Sequence, residues 1–251
     1  MTRITATKTD IDSESIKELY AERAISRAGV DVDAPVVLAS DSDPEHIREW
    51  NEHEVKTWLP QLKLDQNSRV LELGFGTGRI AKYIIEQAGQ YVGNDYVEAF
   101  VDTVKNWADI HAAYGTEPVF LTGSFQELTD GSLELPIKTF NRFVISGGVF
   151  MYINDEELKK GIPNLIKLFD KDSVIYISEP IALTERLTLK RFFSESMQSE
   201  YSAIYRTEEE YRELFKPFFD AGFQMKVSRE FFDEDIKGQK ETRQWMFILE
   251  V

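Results

Sequence analysis

Val70-Leu71-Glu72-Leu73-Gly74-Phe75-Gly76-Thr77-Gly78 reads as a short apolar strand, a turn with glycines at alternate positions, and the start of a helix. Glycine reaches φ > 0 without strain and has no Cβ, so a ligand can approach the backbone closely. The N–H groups at the start of the following helix favour an electronegative ligand. A tight β–α turn with no ligand is the plain alternative, and three glycines so closely spaced argue against it. A dinucleotide site is the competing functional reading. Its fingerprint is G-x-G-x-x-G, whereas the spacing here is G-x-G-x-G. Glu72 lies two residues before the first glycine. A carboxylate there repels a pyrophosphate and suits a cationic group, such as an amino acid ammonium.

Outward from this segment, strand and helix patterns alternate. Helix is expected over Arg79–Ala88, strand over Gln90–Gly93, helix over Val97–Tyr114 and strand over Pro118–Leu121. A near-continuous apolar run, Arg142–Ser146, fits a buried parallel strand. Helix over Asp155–Phe169 and strand over Ser173–Ser178 follow. This order predicts a doubly wound parallel sheet. Thr207 and Glu210 form a capping box that opens a helix through about Phe215. Phe223–Arg229 and Trp245–Val251 are strand-like, with no helical period between them, so they are expected as antiparallel neighbours. The expected fold is therefore α/β, a doubly wound, mostly parallel seven-stranded sheet with an antiparallel final strand.

Upstream, residues 1–12 look like a loose end. Ser13–Ala28 suits a short helix, residues 31–43 a linker, and Asp43-Pro44 an N-cap and first helical residue. The next helix carries Ile47, Trp50, Val55, Trp58 and Leu59 on one stripe. Residues 1–62 are expected as an N-terminal helical cap. Residues 63–251 are expected as a Rossmann-like domain with a substrate-side insertion near 181–206.

The formal net charge is −15. Such a surface repels phosphate backbones, and no Lys/Arg run offsets it, so nucleic acid is not an expected partner. The chain has no Cys, which excludes disulfides and thiolate chemistry. The three histidines, His46, His53 and His111, have no zinc-site spacing, and no metal is expected. No apolar run approaches the roughly 18–20 residues that span a bilayer. A cytoplasmic protein with no membrane partner is expected.

The stretch Val70–Gly78 resembles the first motif of the class I S-adenosylmethionine-dependent methyltransferases, hydrophobic-(D/E)-hydrophobic-G-x-G-x-G. The resemblance extends over roughly Arg69–Val251. It implies S-adenosylmethionine as cofactor, with Gly74, Phe75, Gly76 and Gly78 against its methionine and ribose parts and Glu72 in polar support of the methionine end. Asp95, seventeen residues after Gly78, occupies the position of an acidic residue that holds both ribose hydroxyls in the family. A helix cap is its plain alternative. Tyr96 follows where a residue lines the adenine. Ser124 stands where the family often has Asp, and Phe125 is placed to pack on the ring. Asn141 is a second departure, from a Phe-Asp pattern. Ser146 and Gly147, at the end of the fourth strand, are expected to face cofactor or substrate. Tyr20 and Arg23, on the first helix, complete the expected cofactor set.

Methyl transfer is an in-line displacement in which the protein mainly aligns the nucleophile. A base is needed only where the nucleophile must lose a proton. The catalytic candidates are Glu179, directly after the fifth strand, Tyr152, and Arg206. Each has a structural alternative: a cap or hydrogen bond for Glu179, core packing for Tyr152, a salt bridge for Arg206. The pattern from Tyr20 through Glu54 is similar to bacterial methyltransferases that modify surface polysaccharides or small metabolites. Glu179-Pro180 and Tyr205-Arg206-Thr207 are similar to protein α-amine methyltransferases. Three readings therefore stand: methylation at O or N of a small molecule, methylation of a protein or peptide amine, and a non-catalytic cofactor-binding partner. Oligomeric state is not legible.

Overall fold

A computed structural model describes residues 2–26, 44–105, 116–194, 199–232 and 241–251. The expected linker 31–43, the Asp43 cap, and the later part of the helix expected over Val97–Tyr114, with His111, lie outside the described residues. The chain begins with β1 (Thr2–Thr5), α1 (Ser13–Ser26) and α2 (Pro44–His53), then a π-helical turn (Glu54–Trp58) and a 3-10 turn (Leu59–Leu62). The alternating part is β2 (Arg69–Leu73), α3 (Ala81–Ile85), β3 (Gln90–Asp95), α4 (Glu98–Lys105), β4 (Val119–Thr122), α5 (Phe125–Asp130) and β5 (Phe140–Ser146). It continues through α6 (Asp155–Leu165) and β6 (Phe169–Ala182). The remainder is β7 (Leu187–Ser194), β8 (Ser199–Tyr205), α7 (Glu208–Leu214), α8 (Lys216–Asp220), β9 (Gln224–Glu230) and β10 (Thr242–Glu250).

Seven strands form one sheet in the order β4-β3-β2-β5-β6-β10-β9. The steps from β4 to β6 are parallel, and β10 runs antiparallel to both β6 and β9. This is the expected mostly parallel sheet with an antiparallel final strand. Alternation along the strands divides the interior into two layers. Val70, Val144, Tyr176, Met246 and Ile248 face α3, α4 and the N-terminal helices. Leu71, Phe143, Ile175, Ile177 and Phe247 face α5, α6, α7 and α8. Both faces of the sheet are covered, so its central strands are apolar on both sides.

The N-terminus departs from expectation. Thr2–Thr5 is not loose: it pairs antiparallel with β7, which pairs with β8, giving a small three-stranded sheet from the chain start and the 181–206 insertion. Sequence patterning is weak here because β1 is mostly exposed and its partner is far away in the chain. Two boundaries also move. Helix α6 yields to strand at Phe169, before the expected Ser173, and α3 occupies only the middle of Arg79–Ala88.

The second helix and its π-turn pack on the chain after β9. Trp50 stacks on Phe231 at 5.0 Å between ring centres, and His53 stacks on Phe232 at 4.6 Å. His53 Nε2 and Trp58 Nε1 both bond the Phe231 carbonyl, at 2.7 and 2.8 Å. Beneath them lies a buried ion pair, Arg79 to Glu54 at 2.8 Å. Arg79 also donates to Asn51 Oδ1 at 2.9 Å, and Glu54 Oε1 accepts from Tyr176 at 2.8 Å. This joins α2 and its π-turn to the helix start beside the glycine turn and to β6. Removing one partner of a buried pair leaves the other charge unpaired, typically at 3–5 kcal/mol. Glu54→Ala is therefore expected to lower unfolding stability by about 3–5 kcal/mol, read from the urea midpoint. A loss below about 1 kcal/mol would contradict this role.

Candidate functional site

In an open α/β sheet, ligands bind where strand order reverses, beyond the strand carboxyl ends. Here that point lies between β2 and β5, neighbours from which the chain proceeds in opposite directions. A cavity of about 490 Å³ opens there. Its wall takes Leu73, Gly74 and Gly76 after β2, Asp95 and Tyr96 after β3, Gly123, Ser124 and Phe125 after β4, and Gly148, Val149 and Tyr152 after β5. Helix α1 supplies Ser13, Ile16, Lys17 and Tyr20, one face at helical spacing.

The glycine turn fits its reading. Gly74, Gly76 and Gly78 have φ of +73°, +56° and +81°, where side chains are strained. A Cβ on Gly74 would lie 2.4 Å from Val149 Cγ2, whereas the space beside Gly76 is open. Asp95 is buried, accepting from the Gly76 N–H through Oδ2 and the Val97 N–H through Oδ1, both at 2.9 Å. Burial raises its pKa to about 6 despite these bonds. Asp95 thus caps the chain that enters α4 and also lines the cavity, so both readings of it coexist.

Tyr96 lines the cavity and donates to Glu14 at 2.9 Å, while the Lys17 ammonium lies 4.6 Å from its ring centre. These contacts tie α1 to β3. Ser124 is the N-cap of α5. Its Oγ accepts from Glu127 N at 3.1 Å, and its own N–H donates to Glu127 Oε2 at 2.7 Å. Tyr20 donates to the Tyr152 hydroxyl at 2.6 Å, with ring centres 5.4 Å apart. Burial pushes the Tyr20 phenol up to about 12 and raises Tyr152 further above its ordinary value. Both remain neutral hydroxyls near neutral pH.

Several expected site residues lie elsewhere. Glu72 is buried behind the turn, accepting from Tyr91 at 2.7 Å, and burial raises it to about 7. Phe75 packs edge-on against Phe120, and Gly78 N–H closes the turn on Phe75 O at 2.8 Å. Ser146 Oγ accepts from Arg79 at 2.8 Å and donates to Glu54 at 2.5 Å, so it serves the buried ion pair instead of a ligand. Gly147, at φ +98°, turns the chain without joining the wall, and Arg23 is buried outside it. Asn141 braces the entry to β2 through Arg69 N–H at 2.8 Å, far from the ligand end.

The catalytic candidates need the largest correction. Glu179 and Arg206 are fully buried and do not line the cavity. Glu179 accepts from the N–H groups of Val149, Phe150 and Met151, and Arg206 donates to the carbonyls of Phe150 and Ile153. Their polar atoms are engaged by the backbone of the turn that follows β5. Only Tyr152 of the three reaches the wall. Val149, Phe100 and Lys17 were missed as wall residues. The Ser13, Ile16, Lys17, Tyr20 spacing was the available signal for the helical part.

Residues 70–172 match a family model described as a methyltransferase domain. Over that segment the chain is similar to a methyltransferase domain. A segment of 111 residues, 44% of this chain, is 27% identical to phosphoethanolamine N-methyltransferase 1 of Triticum aestivum. It spans 21% of that curated relative's length. Among solved structures, an S-adenosylmethionine-dependent methyltransferase of Leishmania major aligns with TM-score 0.61 at 15% identity, covering 100% of this chain and 97% of that one. Magnesium protoporphyrin IX methyltransferase from Synechocystis aligns with TM-score 0.61 at 17% identity, covering 97% and 99%. Phosphoethanolamine N-methyltransferase 1 of Haemonchus contortus aligns with TM-score 0.64 at 13% identity, covering 96% of this chain and 50% of that one. These likenesses show a shared fold. Among the described residues, no helix is long and apolar enough to cross a membrane.

The buried carboxyls of the domain set a pH dependence. Burial raises Glu72 from 4.5 to about 7, Asp95 from 3.8 to about 6 and Glu179 from 4.5 to about 7. Each binds its proton more tightly folded than unfolded. The stability it contributes is present below the unfolded value and is lost as pH rises through the folded one. The wild type is expected to lose more melting temperature between about pH 5 and about pH 7.5 than Glu72→Gln, which removes one such group. Scanning calorimetry of both checks this, and parallel slopes would contradict it.

Proposed function

We propose that the protein is an S-adenosylmethionine-dependent methyltransferase acting on an O or N atom of a small molecule, with a sugar or surface-polysaccharide precursor among the acceptors its N-terminal pattern resembles. The observation that carries this reading is one cavity running along the glycine turn, Asp95 and the Tyr20–Tyr152 pair, with α1 in its wall. Its volume lies in the range of cofactor and small-molecule sites. A helix tied across the cavity favours a small acceptor over a basic peptide, which needs an open groove. On this reading residues 1–62 act as a cap, and the protein works in the cytoplasm.

When bound, S-adenosylmethionine supplies an electrophilic methyl group on a sulfonium. Gly74 and Gly76 let it approach the turn. Asp95, mostly ionised at neutral pH with lone pairs beyond those used by Gly76 and Val97, accepts from the ribose hydroxyls. Such charge-assisted bonds are about twice as strong as neutral ones. Tyr96, Ser124 and Phe125 border the adenine. Glu72 supports the turn from behind through Tyr91. Tyr20 and Tyr152, kept neutral by burial, orient the acceptor by hydrogen bonding.

Calorimetry with S-adenosylmethionine tests the donor site. Asp95→Ala is expected to weaken binding by about 10–100-fold, as loss of hydrogen bonds to a charged group implies. No binding by the wild type, or equal binding by the variant, would overturn the reading. Release of S-adenosylhomocysteine across pooled sugars, amines and peptides then identifies the acceptor. With that acceptor, Tyr152→Phe is expected to lower kcat about 10-fold or more while leaving donor affinity within about threefold. An unchanged kcat would remove Tyr152 from the site.

A further inference from the structure

The turn after β5 supplies Gly148, Val149, Tyr152 and Ile153 to the cavity wall, yet only one short 3-10 turn, Phe150–Tyr152, gives it regular structure. It leaves the strand through Gly147 and Gly148, at φ +98° and +97°. A buried carboxyl group and a buried guanidinium from distant parts of the chain take up its backbone groups. The Glu179 carboxylate accepts from Val149 N–H at 2.6 Å, Phe150 N–H at 2.7 Å and Met151 N–H at 3.2 Å. The Arg206 guanidinium donates to Phe150 O and Ile153 O, both at 2.7 Å. The carboxyl group of Glu179 thus takes up amides of the turn and the guanidinium of Arg206 takes up carbonyls, both meeting at Phe150.

Neither side chain is free to drift. Glu179 also accepts from the Tyr211 hydroxyl at 3.3 Å. Arg206 is held by Asp155 at 2.8 Å, which also binds Arg186 at 2.9 Å, and Arg186 reaches Glu210 at 2.9 Å. The network joins β6, the end of β8, α6 and α7 behind one turn.

That turn touches both sides of the proposed reaction. Val149 fills the space a side chain on Gly74 would need, so it bears on the donor loop. Tyr152, three residues on, meets Tyr20 at 2.6 Å on the proposed acceptor side. A shift of the turn moves both together. Misplacement by about 1 Å can lower a rate about 100-fold when alignment is the main catalytic device.

We propose that Glu179 and Arg206 are positioning residues, which clamp the 149–153 turn by its amides and its carbonyls and thereby set the acceptor-side Tyr152 against the donor loop. The assignment rests on the methyltransferase reading above. It replaces the expectation that either residue meets the acceptor, and gives the small sheet of β1, β7 and β8 a link to the site through Arg206.

Glu179→Gln and Arg206→Lys keep side-chain length while losing part of the clamp. Three measurements apply to each: affinity for S-adenosylhomocysteine, amide hydrogen exchange over residues 147–153, and kcat and KM with the acceptor found by product release. Both variants are expected to fold and to bind S-adenosylhomocysteine within about threefold of wild type. Exchange in the turn should quicken about tenfold or more, and kcat should fall about 10–100-fold with acceptor KM within about threefold. In a Tyr152→Phe background the same substitutions should lower kcat by less than about threefold, because residues acting through one another are not additive. A folded variant with kcat within threefold of wild type, or with the same loss in both backgrounds, overturns the proposal. If one variant unfolds, the other holds the same turn and decides. Wild-type protein that binds no S-adenosylhomocysteine contradicts the methyltransferase reading instead, and the binding measurement made first separates the two failures.

Discussion

Val149 occupies the space that a side chain at position 74 would fill, with Cγ2 2.4 Å from an ideal Cβ there. This contact brings the loop after β2 and the turn after β5 together at the point where strand order reverses. The cavity exists because these two segments, both bent through glycines with positive φ, diverge after touching. Strand, turn and cap must each be placed so that the contact survives.

Three buried polar systems do that placing. Behind the glycine turn, Glu72 is held by Tyr91. Beside it, Arg79 and Glu54 fasten α2 and its π-turn to the start of the following helix, with Ser146 and Tyr176 completing the partners. Behind the turn after β5, Glu179 holds backbone amides and Arg206 backbone carbonyls. Buried ions are weak evidence for stability, since apolar replacements often serve as well. Their value here is geometric: backbone amides and carbonyls that leave regular structure inside the protein need partners, and these buried side chains supply them.

Much of the fold was legible because its signals are local. Apolar runs such as Arg142–Ser146 announce buried parallel strands, and Thr207 with Glu210 announces a helix start. The antiparallel end of the sheet followed from the lack of helical period between two strand-like stretches. β1 was illegible because Thr2-Arg3-Ile4-Thr5 gains its order from Leu187–Lys190, far along the chain. At the site, the alternate spacing of Gly74 and Gly76 was legible in itself, whereas Asp95 and Tyr96 were expected from the family resemblance; all four line the cavity. Ser146, Glu179 and Arg206 were visible as residues, but their partners are Glu54 and the backbone of 149–153, which no side-chain pattern reveals.

The central claim is that the cavity between the glycine turn and Asp95 receives the methyl donor. A crystal structure grown with S-adenosylhomocysteine tests it most directly. The ligand is expected against Gly74 and Gly76, with its ribose hydroxyls on the Asp95 carboxylate and its adenine beside Tyr96 and Phe125. Ligand bound elsewhere, or ribose hydroxyls turned away from Asp95, would contradict it.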